Sequence, residues 1–426
     1  MAARGNSLRR RVRSLGGRLL RRYRLLPGGM PDGLGDDEAL RDASLEGDVI
    51  VYFPDTADSL YQLRGWYGPL RELHAAQGVT IVCMDSRTAA ALREESGLPV
   101  VTIALDATLD AIILRSDTKL VLYVNFNPLN TAALRSRSAI HVSILHGDSD
   151  KSVSVSNQVK AYDYSLVAGQ AAIDRLERYT SLFDAPARAI PVGRPALDLE
   201  RVPRSPRPNG RPVVLYAPTW EGGQASVGYS SLHTHGVTAV RALLAEGLDV
   251  LYRPHPLTGV RVPAFGEADA AVRSELAAGG GRVSEGRTLQ EDFAEADLLL
   301  CDVSAVANDW LLTTRPLIIT RSSDPEAHDA ATELLGAVPR LAESEAGQVG
   351  HLAGDLIAHD TRFEERRELT EYYLGDTTPG ASMQRFLDAC RHLSARRDEL
   401  WARIRAHESG DGAGHGAGGA PADPTR

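Results

Sequence analysis

Two things are scarce in this sequence, and each scarcity excludes a class. No apolar run approaches the roughly 20 residues needed to cross a bilayer as a helix, and no signal-peptide core is present. A membrane-spanning protein and a secreted one are therefore not expected. Cysteine is nearly absent: Cys83, Cys301 and Cys390 share no metal-ligand spacing and sit in apolar or helical contexts, so they read as reduced packing residues in a cytosolic chain. Acid is missing from one place. The first 26 residues hold nine arginines and neither Asp nor Glu, so the remainder is more acidic than the formal net charge of -9 states.

That first segment is a separate object. Leu8, Val12, Leu15, Leu19, Tyr23 and Leu26 recur at helical spacing with arginines on the other faces, the pattern of a helix lying on an anionic surface. Gly16-Gly17 interrupts it, and a basic leader without structure is the competing reading. Nucleic acid is not the expected partner, because the body is acidic and carries no reading motif. Residues 1–36 are assigned to leader and linker.

What is present is 43% hydrophobic residues over 426, enough for two ordinary domains. From Asp48 short β-branched runs alternate with helix-compatible stretches: Val49 to Phe53, Val79 to Met84, Val100 to Ala104, Leu120 to Phe126 and Ile140 to Leu145 read as strands, with helices over Ser59 to Ala76 and Ser86 to Glu95. Tyr162 to Tyr179 reads as one helix. A second alternating series starts at Pro212. Such alternation predicts parallel sheets covered on both faces, with ligands at the strand ends. The expected division is 37–200 for the first domain, 201–375 for the second, 376–407 for a C-terminal helix packing back, and 408–426 for a disordered tail.

Chemistry-bearing residues gather at strand ends. His146 leaves a strand into Gly147-Asp148-Ser149-Asp150-Lys151, where an imidazole titrating near neutrality suits a general base and Lys151 would offset phosphate charge. A loop histidine bonded to Asp148 or Asp150 is the alternative, and His141 inside the strand reads as a core histidine. Thr219 ends a strand with its hydroxyl in reach of a ligand; Trp220 either covers a base or roofs the core. Arg253-Pro254-His255-Pro256 pins a histidine between prolines beside an arginine, a compact cationic pair for an oxyanion. In Asp302-Val303-Ser304-Ala305, strand gives way to helix: Ser304, the small Ala305 and Asp309 one turn on suit a phosphate with a ribose, or Ser304 is an ordinary N-cap. No metal site is expected, Asp148-x-Asp150 reading as polar loop.

Taken in order, His146-Gly-x-x-x-Lys151, Val192-Gly-x-Pro195-x-x-Asp198, Leu215-Tyr-Ala-Pro-Thr-Trp220, Arg253-Pro-His-Pro256 and Asp302-x-Ser304 with Asp309 resemble the CDP-glycerol glycerophosphotransferases of teichoic acid synthesis. The resemblance covers residues 139 to 382. It implies an α/β fold of two Rossmann-like domains facing across a cleft (GT-B-like), and no cofactor. The implied donor is CDP-glycerol or a similar CDP-polyol, and the implied acceptor a lipid-linked teichoic-acid-like or capsular polymer.

By the same resemblance His146 looks like the base, His255 with Arg253 like the group meeting the donor diphosphate, and Ser304 and Asp309 like the donor-binding turn and ribose contact. Two departures stand out. Asp148-Ser149-Asp150 replaces the usual Thr-Pro-Leu, and Ala305 replaces a second serine. A GT-B sugar-nucleotide glycosyltransferase and a non-catalytic polymer-binding relative are the competing readings. The basic leader fits an enzyme peripheral on the cytoplasmic face of the cell membrane.

Overall fold

The structure, a computed structural model, describes residues 31–151, 156–199, 201–207, 210–222, 228–324, 326–327 and 331–414, with the side chains of 408–414 left aside. The basic leader and the last part of the tail lie outside the described residues. Short apolar runs become strands: β1 (Val49–Phe53), β2 (Val79–Cys83), β3 (Val100–Thr102), β4 (Leu120–Tyr123), β5 (Ile140–Ser143), β6 (Tyr164–Val167) and β7 (Ala189–Pro191), all but β6 of them as expected. A second series follows with β8 (Val213–Ala217), β9 (Asp249–Tyr252), β10 (Arg282–Val283), β11 (Leu298–Cys301), β12 (Leu317–Thr320) and β13 (Arg340–Leu341). They form a seven-stranded sheet ordered β3-β2-β1-β4-β5-β6-β7 and a six-stranded sheet ordered β10-β9-β8-β11-β12-β13. The registered pairs are parallel, for example Val49 opposite Val79 and Leu299 opposite Leu215.

Contacts divide the chain into two compact units. One comprises the described residues within 1–60, 70–142 and 387–426, the other those within 61–69 and 143–386. Residue 200, where the sequence reading divides the chain, lies between β7 and β8, strands of the seven-stranded and the six-stranded sheet respectively. The final helix begins at Ala381 and extends to Gly414.

The second unit shows why its six-stranded sheet is buried on both faces. Leu215, Leu299, Cys301 and Ile319 pack with Phe293 and Trp310 on one side, while Val214, Tyr216, Leu298, Leu300 and Ile318 pack with Val240, Leu243 and Val272 on the other. Alternation of side chains along a strand supplies both cores from the same residues. All three cysteines are free and buried.

Two stretches differ from expectation. Residues 162–179 are not one helix: β6 comes first, and the helix starts at Gln170 after Gly169, where a Cβ would lie 2.4 Å from the Tyr373 carbonyl oxygen. Ser59 to Ala76 is likewise broken into Ala57–Ser59, Tyr61–Arg64 and Tyr67–Gln77, with Gly65-Trp66 at the interruption. In the first unit, the stretch read as linker is tied down from Asp32 onward. Asp32 is buried and accepts from Ser86, and Asp37 accepts from the Ala104 and Leu105 amides. Among the described residues, no helix is long and apolar enough to cross a membrane.

Candidate functional site

The six-stranded sheet reverses its strand order between β8 and β11, and the crevice beyond the carboxyl ends of such a pair is where parallel sheets hold ligands. One buried carboxylate builds that point. Asp302, following β11, accepts from the Thr219 amide beyond β8 at 2.7 Å and from the Thr320 hydroxyl of β12 at 2.6 Å. Burial pushes its carboxyl up, against hydrogen bonds from Ser231, Thr320 and Thr219 that favour the ionised form.

The turn that follows is not an ordinary cap. Ser304 is extended, at φ -158°, and stands at the N-cap position of helix Ala305–Trp310, yet its hydroxyl caps nothing. Its Oγ is buried without a hydrogen-bond partner among the described residues, as are both side-chain polar atoms of Asn308, one turn further in. Buried polar atoms left unpaired cost stability, which marks them as groups that a ligand would satisfy. Asp309 does have a partner. Its two oxygens accept from Arg194 Nε at 2.7 Å and Nη2 at 3.1 Å, a bidentate pair in which both side chains are largely buried.

The stretch after β5 meets this turn. A Cβ on Gly147 would come 2.9 Å from the Ala305 methyl, so only glycine lets the two loops approach this closely. Leu145 adopts φ 41°, a left-handed conformation costing a leucine about 1–2 kcal/mol, and its carbonyl accepts from the Trp66 indole at 2.8 Å. His146 follows directly and is exposed.

Lys151 reaches the end of β8, where its Nζ donates to Thr219 Oγ1 at 3.0 Å and lies 5.7 Å from the centre of the Tyr229 ring. Burial pulls its ammonium down to about 8, with Asp302 opposing. The two acids between His146 and Lys151 clamp one guanidinium. Arg175 pairs with Asp148 and, at 2.9 Å, with Asp150, whose other oxygen accepts from Thr332 at 2.6 Å and Tyr373 at 2.8 Å. The unusual Asp-Ser-Asp is thus an internal ionic tie.

His255 is held on several sides. Its Nδ1 accepts the Leu257 amide at 3.1 Å, which places the proton of the neutral ring on Nε2. Trp220 stacks on it at 6.1 Å and 21°, and Tyr61 meets it edge-on at 5.7 Å and 79°. Burial, with the charges of Lys151 and His146 adding and Glu221 opposing, pulls it down to about 3. The loop beyond is fixed by Glu221, whose carboxylate accepts the amides of Gly259, Arg261 and Val262 at 3.0 to 3.2 Å.

Arg253 does not make a free cationic pair with this histidine. Its Nη1 donates to Asp292 at 2.6 Å, to Ser284 and to the Arg287 carbonyl. The other histidine lies near by: the ring of His146 is 6.0 Å from that of Tyr61, at 82°. One phenol therefore contacts both imidazoles.

The structure thus brings His146, Lys151, Thr219, His255 and the Ser304-Ala305 turn into one neighbourhood of the second unit, and turns Arg253 and Asp309 to protein partners. Tyr61, Trp66 and Arg175 were not legible as site residues. The only local signal was the glycine that interrupts the aromatic-rich Tyr61-Gln-Leu-Arg-Gly-Trp-Tyr67.

No curated protein matches the sequence. Solved structures of the wall teichoic acid polymerase TagF resemble this fold: one shares 14% identity at a TM-score of 0.58, over 93% of this chain and 98% of that one. A TagF variant soaked with CDPG gives 12% and 0.54, over 83% and 90%. MnaA of S. aureus with UDP gives 12% and 0.53, over 81% and 96%. These likenesses establish the GT-B-like α/β fold. The model of the CDP-glycerol:poly(glycerophosphate) glycerophosphotransferases matches residues 93–330, more than half of the chain and inclusive of both histidines, and the chain belongs to that family.

Proposed function

We propose that this protein transfers glycerol phosphate, or a related polyol phosphate, from CDP-glycerol to a hydroxyl of a lipid-linked polymer, releasing CMP. The observation that carries the reading is the pair of unlike imidazoles on one tyrosine ring, His146 exposed and His255 held neutral with its Nε2 proton available. His146 takes the proton of the acceptor hydroxyl. The acceptor oxygen bonds to the phosphorus bearing glycerol, and the bond from that phosphorus to the bridging oxygen breaks.

CMP carries the bridging oxygen away. Lys151 and the Nε2 proton of His255 meet the phosphate charge, which is what phosphoryl transfer asks of a protein beyond in-line placement. The unpaired Ser304 hydroxyl serves the donor, with Ala305 leaving room beside it. A carboxylate has about four acceptor sites, so Asp309 can receive a ribose hydroxyl while holding Arg194. Arg253 acts from behind, through the segment that carries His255.

The test is a donor panel. Full-length protein is given CDP-glycerol, CDP-ribitol and UDP-sugars with a polyol-phosphate acceptor, and the released nucleotide is identified. CMP from a CDP-polyol, abolished in His146→Ala, is expected; UDP from a sugar nucleotide would replace this reading with glycosyl transfer. We further infer that the basic leader attaches the enzyme to an anionic membrane surface. Deleting residues 1–26 should reduce sedimentation with phosphatidylglycerol vesicles while sparing turnover on a soluble acceptor; unchanged sedimentation would reject the attachment.

A further inference from the structure

The segment Tyr61–Pro69 belongs to the second unit although the residues on both sides of it in sequence belong to the first. Four contacts hold it there. The Trp66 indole donates to the Leu145 carbonyl at 2.8 Å, across 79 residues of sequence, and the Trp66 ring lies 5.4 Å from that of Phe386. The Tyr61 ring meets His146 at 6.0 Å and His255 at 5.7 Å, nearly perpendicular to both. Leu145 is the left-handed residue immediately before His146. Its carbonyl belongs to the peptide that joins it to His146, so the indole fixes the plane from which the imidazole departs.

We infer that Tyr61 and Trp66 are positioning residues of the transferase site: Trp66 orients the Leu145-His146 peptide, and the Tyr61 ring sets His146 against His255. The inference rests on the proposed reaction for its kinetic consequence and on geometry alone for its structural one. Edge-to-face contact of one ring with two others fixes ring planes as well as spacing, because aromatic quadrupoles favour that angle. Neither residue needs to touch a substrate. Each acts by keeping a base and a proton donor within the narrow tolerance that displacement at phosphorus demands, where misplacement by about 1 Å costs about 100-fold.

Three variants of the full-length protein separate this role from plain packing. Trp66→Phe keeps a ring against Phe386 and removes only the indole donor; Tyr61→Ala removes the shared ring; Tyr61→Phe keeps it. Tyr61→Ala is expected to lower kcat about 100-fold and Trp66→Phe at least about tenfold, with donor KM within about twofold and Tyr61→Phe restoring most of kcat. Loss confined to KM, or equal loss in Tyr61→Phe and Tyr61→Ala, would overturn the assignment.

Carbon-13 labelling of the histidine rings gives a readout that needs no turnover. Tyr61→Ala should move the ring signals of both His146 and His255, and Trp66→Phe that of His146 alone. Unmoved signals in both variants would overturn the positioning role even if the enzyme is active. Wild-type protein that turns over no CDP-polyol while the signals move as described would refute the proposed reaction and leave the brace standing.

Discussion

Replacing Lys151 tests the electrostatics of the site most directly. The ammonium is buried, bonded to Thr219 and set over the Tyr229 ring, and burial pulls it down to about 8. In the free enzyme, then, the charge proposed to meet the donor phosphates disappears as pH rises through about 8. Since kcat/KM reports ionisations of the free enzyme, it should fall about tenfold for each pH unit above that point, so that at pH 9 it is about one-tenth of its plateau. A charge-assisted hydrogen bond contributes about 1.5–3 kcal/mol, so Lys151→Ala should lower the plateau itself about 10- to 150-fold and remove this alkaline limb.

Lys151→Arg keeps its charge throughout the accessible range and should carry the limb upward. The assay is CMP release at limiting CDP-glycerol from pH 6.5 to 10. A profile flat to pH 9.5, or the same limb in Lys151→Arg, would refute the reasoning. Stability has its own sign. The folded lysine sheds its proton before the unfolded one does, so between about pH 8 and 10.4 the unfolded chain binds more protons. Burying the charge is therefore costly below about pH 8 and is relieved as pH rises through that window. Lys151→Met should lack this part of the slope in denaturation curves.

Arg194→Ala leaves the Asp309 carboxylate buried and unpaired, and should destabilise the second unit by about 3–5 kcal/mol in denaturant unfolding, with Asp309→Asn in the same background recovering part of the loss. Burial already raises Asp309 against the opposing Arg194 charge, so the cost should shrink as pH falls through its raised folded value; a pH-independent cost would contradict this assignment. Turnover should resist EDTA, because Asp148 and Asp150 are both engaged by Arg175, and a strict Mg²⁺ requirement would count against that tie as the resting state of the loop. Burial raises all three thiols, Cys83 and Cys390 to about 12, so a thiol reagent at pH 8 should label none of them until the protein is unfolded; prompt native labelling would show the packing to be open.

The sequence disclosed what is local. Runs such as Leu298–Cys301 and Val213–Ala217 announce themselves by short length and unbroken apolar character, and a histidine at the end of such a run is placed by the strand before it. β6 escaped because four residues carry too little period to stand out from the helix behind them, and β13, two residues long, carries none. The site residues that escaped are those defined across distance. Arg194 finds Asp309 from 115 residues away and Trp66 finds Leu145 from 79, and nothing in either neighbourhood encodes the other end. Arg253 was seen without Asp292, which decides where its charge goes. The acids at 148 and 150 were seen as an alteration of the loop, whereas Arg175 shows them to be one half of a clamp.

Glu221 has a consequence for anyone exchanging parts between relatives. The loop that carries His255 owes its shape to a carboxylate rooted beyond a different strand, which gathers three of its amides. Residues 253–262 are therefore not a portable cassette. Grafted alone they would arrive with three amides facing no acceptor, so a working transplant takes the strand end bearing residue 221 along with them.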